Sequence, residues 1–465
     1  MYKNHRAELA FELMESVLEM AGSGRVYSSQ VIRRVEVAIP PLNLLGELSR
    51  VDKFGKYYWS SRDKYFEMVG WGEVDVITGD ASMDFSYESV FHKLEEKLGS
   101  VSFGVKYYGG FKFNPLDSRG GRWKAFKSYR FVVPRLEIVR RGRNFFLCAN
   151  LILGGPYDLV SQISSLVNYL RNWEVASEVD NADLDKVERL EFGERIDIPN
   201  FEEWQRLVFL ALESISLGEF KKIVMSRETT FISHRELDAV KILSKIGAYC
   251  ENAYTFCFYP VPERAFIGMS PECLFRVIST YLETEALAGT ASKNRGEVGE
   301  TKLSLLNSPK ELYEHSVVVD AIRESLEPLT TRVEYDETPR IFELPNLYHL
   351  YTHFRGVLRG NVSRGQVLES LHPTPAIGGY PRDPALKWLR ENEPIDRGVY
   401  SGPVGWVSYD SAEFCVGIRS ALVQRNEISL YAGAGIVEGS TPDSEWNELE
   451  GKMGSFLDVI SHSGK

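Results

Sequence analysis

The chain has 465 residues, of which 43% are hydrophobic and 26% charged, ordinary values for a globular protein. Its net charge of -11 excludes a general nucleic-acid or anionic-membrane surface, so an anionic ligand would need a local cluster of cations. Cys148, Cys250, Cys257, Cys273 and Cys415 lack C-x-x-C spacing and sit in apolar contexts, which predicts reduced core thiols and a cytoplasmic protein.

Residues 1–22 read as an amphipathic helix with interspersed acids, not a signal peptide, and no apolar run reaches transmembrane length. Between Tyr27 and Asp52, VIRRVEVAIP alternates like a strand and breaks at Pro40 and Pro41. KYYWSSRDKYFEMVGWGEVDVI, from Lys56 to Ile77, predicts two strands around a turn at Ser60 to Asp63. In VSFGVKYYGGFKFNP, Gly109 and Gly110 interrupt an aromatic run. RFVVPRLEIVRRGRNFFLCANLIL predicts two strands joined by a basic turn at Arg140 to Arg143. Asp158 to Tyr169 predicts a helix, and 177–195 an acidic, solvated connector. This half reads as a β-rich scaffold whose aromatic strands are explained by core burial.

From Pro199, NFEEWQRLVFLALESISLGEF has helical period, with Trp204, Val208 and Leu212 on one face and Gly218 at its end. KKIVMSRETTFI, Tyr254 to Tyr259, and RAFIGMSPECLFRV read as strands. LETEALAGT ends a strand on Gly289, and 291–301 is a polar loop. A helix then opens at SPKE, capped by Ser308, with Pro309 at its first position and Glu311 closing a capping box. LYHLYTHFRGVL is a strand, LHPTPAIGGYPR a loop, and GPVGWVSYDSAEFCVGIRSALV two strands. The stretch from Leu430 to Leu457 reads as a short strand, a glycine-rich turn (Gly433, Gly435, Gly439) and a helix capped by Thr441. Trp446, Leu449, Met453, Phe456, Leu457 and Ile460 form that helix's apolar stripe. Strands and helices do not alternate strictly, which predicts an α+β fold.

A few residues do not fit a packing explanation. Glu311, Glu314, His315, Val318 and Ile322 share one helix face, where a carboxylate is rarely buried unless paired or bound to metal. The cap accounts for Glu311 but not for Glu314. With Glu448 it would make a hard-cation site suited to Mg²⁺. Glu445, Glu448 and Lys452 share the edge of the last helix, an arrangement for a metal and an anion. Lys222, inside an apolar strand, is either an edge lysine or a buried amine able to act as a base. Glu272, in MSPE, is either a turn-exposed carboxylate or an acid presented to a cleft. Arg419, flanked by apolar residues, suits bidentate capture of a carboxylate. His372, before Pro373, either bonds its own loop or meets a ligand.

Together, KKIVMSR, FIGMSPECLFR, TEALAGT, SPKELYEHSVVVDAI, HLYTHFRG, LHPTPAIGGYPR, EFCVGIRSAL and AGAGIVEGSTPDSEWNELEGK closely resemble the chorismate-utilising enzymes. That family includes isochorismate synthase, salicylate synthase and the large subunits of anthranilate and aminodeoxychorismate synthases. The resemblance is continuous from about Pro199, and YYWSSRDKYFEMVGWG extends it to the first half. It implies one large two-layered unit of stacked antiparallel sheets with helices outside. Residues 1–195 would share the scaffold of a chorismate-binding catalytic region at 196–465. The implied chain is a monomer or weak homodimer, with no nucleic-acid or membrane partner.

Carried over by motif, Lys222 matches the general base that activates water, and Glu272 the general acid facing the C4 hydroxyl. Glu314 and Glu448 match the Mg²⁺ ligands, with Glu311 and Glu445 behind them. Arg419, Lys452 and the Gly433 amide match the site of the enolpyruvyl carboxylate. Gly289 and Thr290 match the ring-carboxylate side; His372, read from its own context, is kept as a candidate substrate-binding residue. Ala288 stands where aminodeoxychorismate synthases carry lysine, and Leu287 gives the wording of water-using members. The resemblance therefore implies a Mg²⁺-dependent isochorismate synthase serving menaquinone formation. The alternatives are a salicylate synthase or an anthranilate synthase component I; a silent anion-binding protein is disfavoured because every catalytic position is filled.

Overall fold

Two antiparallel sheets, of 12 and 10 strands, carry the chain's regular structure, with helices packed outside them. The computed structural model describes residues 2–22, 30–50, 55–99, 104–117, 121–154, 158–175, 190–247, 252–293, 298–344 and 347–461. The larger sheet runs Val31–Ile39, Asn144–Leu153, Leu136–Arg141, Phe66–Trp71, Lys56–Ser60, Tyr254–Val261, Arg264–Ser270, Ser420–Gln424, Glu427–Ile436, Lys222–Ser233 and Gly379–Tyr380. Phe192–Ile198 pairs with the free part of Lys222–Ser233. The smaller sheet runs Thr330–Tyr335, Leu347–Leu358, Tyr281–Ser292, Cys273–Ile278, Ser411–Val416, Pro403–Val407, Tyr107–Phe111, Tyr129–Val133 and Asp75–Gly79, with Arg340–Glu343 also on Leu347–Leu358. Both sheets take strands from both halves of the chain. One core accordingly joins Trp71 and Phe91 to Trp204, Ile223, Leu430 and Leu449.

Several local expectations change because the chain switches sheets where the sequence shows one apolar run. Lys56 to Ile77 forms three strands, and the third, Asp75–Gly79, belongs to the other sheet. The switch falls at Gly72, whose φ of +67° suits glycine and whose absent side chain leaves room for the Tyr169 ring. RFVVPRLEIVRRGRNFFLCANLIL likewise gives three strands, because Pro134, which cannot donate to a ladder, separates Tyr129–Val133 from Leu136–Arg141. Gly109 and Gly110 do not interrupt their strand. A side chain at either would strike the neighbouring backbone at Arg130 or Pro403, so glycine permits the close pairing.

Helices follow their periodicity. Phe201–Ser216 is capped by Asn200 and buries Trp204, Leu207, Val208 and Ala211. Pro442–Ser461 starts where Thr441 accepts the Ser444 amide proton and buries Leu449, Met453, Phe456 and Ile460. Cys148, Cys257, Cys273 and Cys415 are buried free thiols, while Cys250 lies outside the described residues. Most of the predicted connector 177–195 lies outside them too. No helix among the described residues is long and apolar enough to cross a membrane.

Candidate active site

The site forms where three local predictions fail together. LETEALAGT does not end at its glycine: strand Tyr281–Ser292 continues through a bulge between Ala288 and Thr290, with Gly289 at φ +76°. A bulge re-aims the chain there. The 291–301 loop shrinks accordingly, since Ala291 and Ser292 remain in the strand and helix Val298–Leu306 follows. The Thr290 amide donates to Glu311 Oε2 at 2.8 Å. Glu311 therefore does not complete the capping box. Ser308 Oγ still accepts its amide proton at 3.4 Å, but the Glu311 carboxylate is turned to the bulge. Gly433 and Gly435 lie within strand Glu427–Ile436, and only Gly439 lies in the turn beyond.

Those glycines make space for charge. A side chain on Gly435 would come within 2.9 Å of Glu314 Oε1 and 3.0 Å of Lys222 Cε. Lys222 opens strand Lys222–Ser233, is 1% exposed, and donates from Nζ to Glu314 Oε1 at 2.8 Å. Burial alone would raise the Glu314 carboxyl, but the cations of Lys222, Lys452 and Lys310 outweigh it and hold its pKa below the usual value. Gly435→Ala is expected to leave the melting temperature near that of the wild type and to lower turnover on the order of 10²-fold, because the buried pair must move aside. Comparison of kcat with a thermal melt checks this.

One cavity is lined by Glu272, Leu287, Ala288, Gly289, Thr290, Glu314, Arg419, Gly433, Glu448 and Lys452. Lys222 reaches its wall through Glu314. Glu272, 3% exposed, sits in the turn between Arg264–Ser270 and Cys273–Ile278. Burial first, then the neighbouring charge of Glu285, push its carboxyl pKa up to about 8 against the opposing pull of Lys222. Arg419 occupies a turn at φ +50° between the strands Ser411–Val416 and Ser420–Gln424, its Nη1 donating to the Lys452 carbonyl at 2.9 Å. Lys452 Nζ bonds the Gly433 carbonyl at 2.8 Å and pairs with Glu448 at 2.5 Å, one turn away on its own helix. Glu445 is buried behind them and paired with Lys310 at 3.2 Å.

His372 is not brought to this cavity. It is buried beside Tyr87 and Phe113, and Nε2 bonds the Phe113 carbonyl at 3.0 Å. The histidine that does line the cavity is His349, which the strand reading passed over although it stands in HLYTHF. Its Nδ1 lies 3.1 Å from Thr290 Oγ1. Burial, then the nearby cations Arg419 and Lys452, lower its pKa to about 3, so the ring is neutral at physiological pH. Tyr400 and the Ala376–Ile377 segment also line the cavity, and neither carried a sequence signal of its own.

A buried acid, a lysine–carboxylate pair and two cations around one cavity are groups that acid–base chemistry on an anionic substrate would use. The chain belongs to the chorismate binding enzyme family, which it matches over residues 18–461. It is 28% identical to isochorismate synthase MenF of Bacillus subtilis, over 92% of each chain. It is 34% identical to the chloroplastic isochorismate synthase of Catharanthus roseus, over 77% of this chain and 62% of that longer one. Among solved structures, menaquinone-specific isochorismate synthase MenF of Escherichia coli superposes with a TM-score of 0.82 at 26% identity, over 97% of this chain and 99% of that one. Anthranilate synthase component I of Streptococcus pneumoniae shares the fold, with a TM-score of 0.70 at 19% identity over 84% and 92%.

Proposed function

We propose that this protein is an isochorismate synthase, converting chorismate to isochorismate by adding water at C2 and expelling the C4 hydroxyl. The observation that carries the reading is Glu272, a buried carboxyl whose pKa of about 8 keeps it protonated at neutral pH, on the cavity that Lys222 reaches through Glu314. Hydroxide is a poor leaving group unless protonated as it departs, and water is a poor nucleophile unless deprotonated as it attacks. In this reading Glu272 gives its proton to the C4 oxygen while Lys222, as the neutral amine released from its pairing with Glu314, takes one from water at C2. The double bonds shift between them, and one water enters as one leaves. Arg419, Lys452 and the Gly433 backbone hold the enolpyruvyl carboxylate, and Gly289 and Thr290 face the ring carboxylate. Leu287 and Ala288 on the cavity wall support a water-using branch, since no lysine stands at position 288.

The acids at one end of the cavity fit a hard divalent cation. Burial and then Glu314 raise the Glu311 carboxyl, and burial and then Glu448 raise that of Glu445, so negative charge is crowded there. Among the described residues no three His, Cys, Asp or Glu side chains converge on one point. Two protein carboxylates completed by water and substrate is the ligand set Mg²⁺ accepts. Glu314 and Glu448 would hold it, and it would offset the ring carboxylate and compete with Lys222 for Glu314. Chelation with EDTA is expected to abolish turnover, and Mg²⁺ to restore it; activity that survives chelation refutes the assignment.

The name of the Escherichia relative supports a place in menaquinone formation, and the buried free thiols support a cytoplasmic setting. The test is incubation with chorismate and Mg²⁺ followed by chromatographic resolution of products. Isochorismate alone supports the reading, salicylate with pyruvate replaces it with a salicylate synthase, and no turnover refutes both.

A further inference from the structure

We propose that Arg62 and Glu285 form a positioning pair, by which the N-terminal half of the chain holds the acid-bearing turn Pro271–Glu272–Cys273 in place. The proposal rests on Glu272 being the acid of the reaction above. Arg62 projects from the hairpin turn between Lys56–Ser60 and Phe66–Trp71, and Glu285 lies in Tyr281–Ser292. Arg62 grips Glu285 with both terminal nitrogens, Nη1 to Oε1 at 2.6 Å and Nη2 to Oε2 at 2.7 Å. The same Nη1 donates to the Pro271 carbonyl at 2.8 Å, and Glu285 Oε1 accepts the Cys273 amide proton at 2.8 Å. The residues immediately before and after Glu272 are thus tied to one ion pair. A bidentate guanidinium–carboxylate fork is geometrically specific, which suits a device that fixes where a side chain points. The Glu285 side chain is 1% exposed, and the Arg62 guanidinium lies 5.7 Å from the Tyr254 ring centre and 5.5 Å from that of Phe342.

Placement also sets charge. The charges that act on Glu272 are those of Glu285 and Lys222; Arg62 stands at its turn, and the cavity it lines also carries Glu314, His349, Arg419, Glu448 and Lys452. After burial, Glu285 is the main influence keeping Glu272 protonated, and Lys222 opposes it. Removing the negative charge of Glu285 leaves Arg62 uncompensated nearby, and both changes favour the ionised form of Glu272.

The test compares Glu285→Gln, which keeps the shape and the hydrogen-bond acceptor, with Glu285→Asp, which keeps the charge but shortens the reach. In Glu285→Gln the alkaline limb of kcat/KM is expected to move to lower pH by about one unit or more. In Glu285→Asp the limb is expected to stay in place while kcat falls and KM changes little. A residue that only stabilises the fold would lower activity at all pH values alike, so an unmoved limb in Glu285→Gln overturns the proposal. Direct titration of Glu272 by carboxyl ¹³C NMR, assigned by loss of the signal in Glu272→Gln, reads the same shift without turnover. If the protein fails to convert chorismate, the functional reading falls, while the NMR midpoint still decides this pairing: a midpoint unchanged in Glu285→Gln overturns it.

Discussion

Replacing Glu272 by glutamine is expected to lower chorismate turnover by about 10²–10⁴-fold, the usual contribution of a positioned general acid. The amide keeps the size of the side chain but cannot protonate the departing hydroxyl, so KM should change far less than kcat. In the wild type, the reaction needs the protonated form, which exists below a pKa of about 8. The kcat/KM profile should therefore fall above about 8, and that limb should be absent from the residual activity of Glu272→Gln. Stability moves the other way. A carboxyl raised from its ordinary value to about 8 contributes stability that is complete below the unfolded pKa of 4.5 and is lost as pH rises through the folded one. Glutamine has no such titration. The variant should melt at the wild-type temperature near pH 4 and above it near pH 9, which a series of thermal melts reads. A variant that turns over chorismate at the wild-type rate would remove Glu272 from the mechanism.

Lys222→Ala is the second large expected effect, a loss on the order of 10²–10⁴-fold in kcat if the amine is the base. The lysine is also the foremost cation lowering the Glu314 carboxyl. A carboxyl lowered in the folded state contributes stability that is present above its unfolded pKa of 4.5 and lost as pH falls through the folded value. Without Lys222 that contribution shrinks, so the variant should be less stable than the wild type at neutral pH and approach it as the pH falls below 4.5. An added small primary amine that restores turnover, but not the melting temperature, would separate the basic role from the pairing role. Full activity in Lys222→Ala would refute the base assignment.

The site was legible in part because its chemistry violates local rules. A lysine in an apolar strand, a glutamate on an apolar helix face and an arginine among hydrophobic residues each cost free energy unless something pairs with them. Glu314 and Arg419 line one cavity, and Lys222 reaches it through Glu314. The strands that switch sheets were not legible, because a run such as Lys56 to Ile77 alternates in the same way whichever sheet receives it. His372 and His349 were not told apart for a related reason: each stands in an apolar context, and only the packing of Tyr87 and Phe113 around His372 tells a buried core histidine from one facing a cavity.

By itself the sequence determined the α+β class, the helix caps at Ser308 and Thr441, the apolar stripe of the last helix and the residues that carry charge into the interior. These follow from periodicity and side-chain chemistry, which act over a few neighbouring residues. Only the tertiary structure decided which charges meet. Lys222 and Glu314 are 92 positions apart, and Arg62 and Glu285 are 223 apart. Whether such groups touch depends on strand register, on a bulge at Gly289 and on glycines that leave room, and none of these has a signature in local composition.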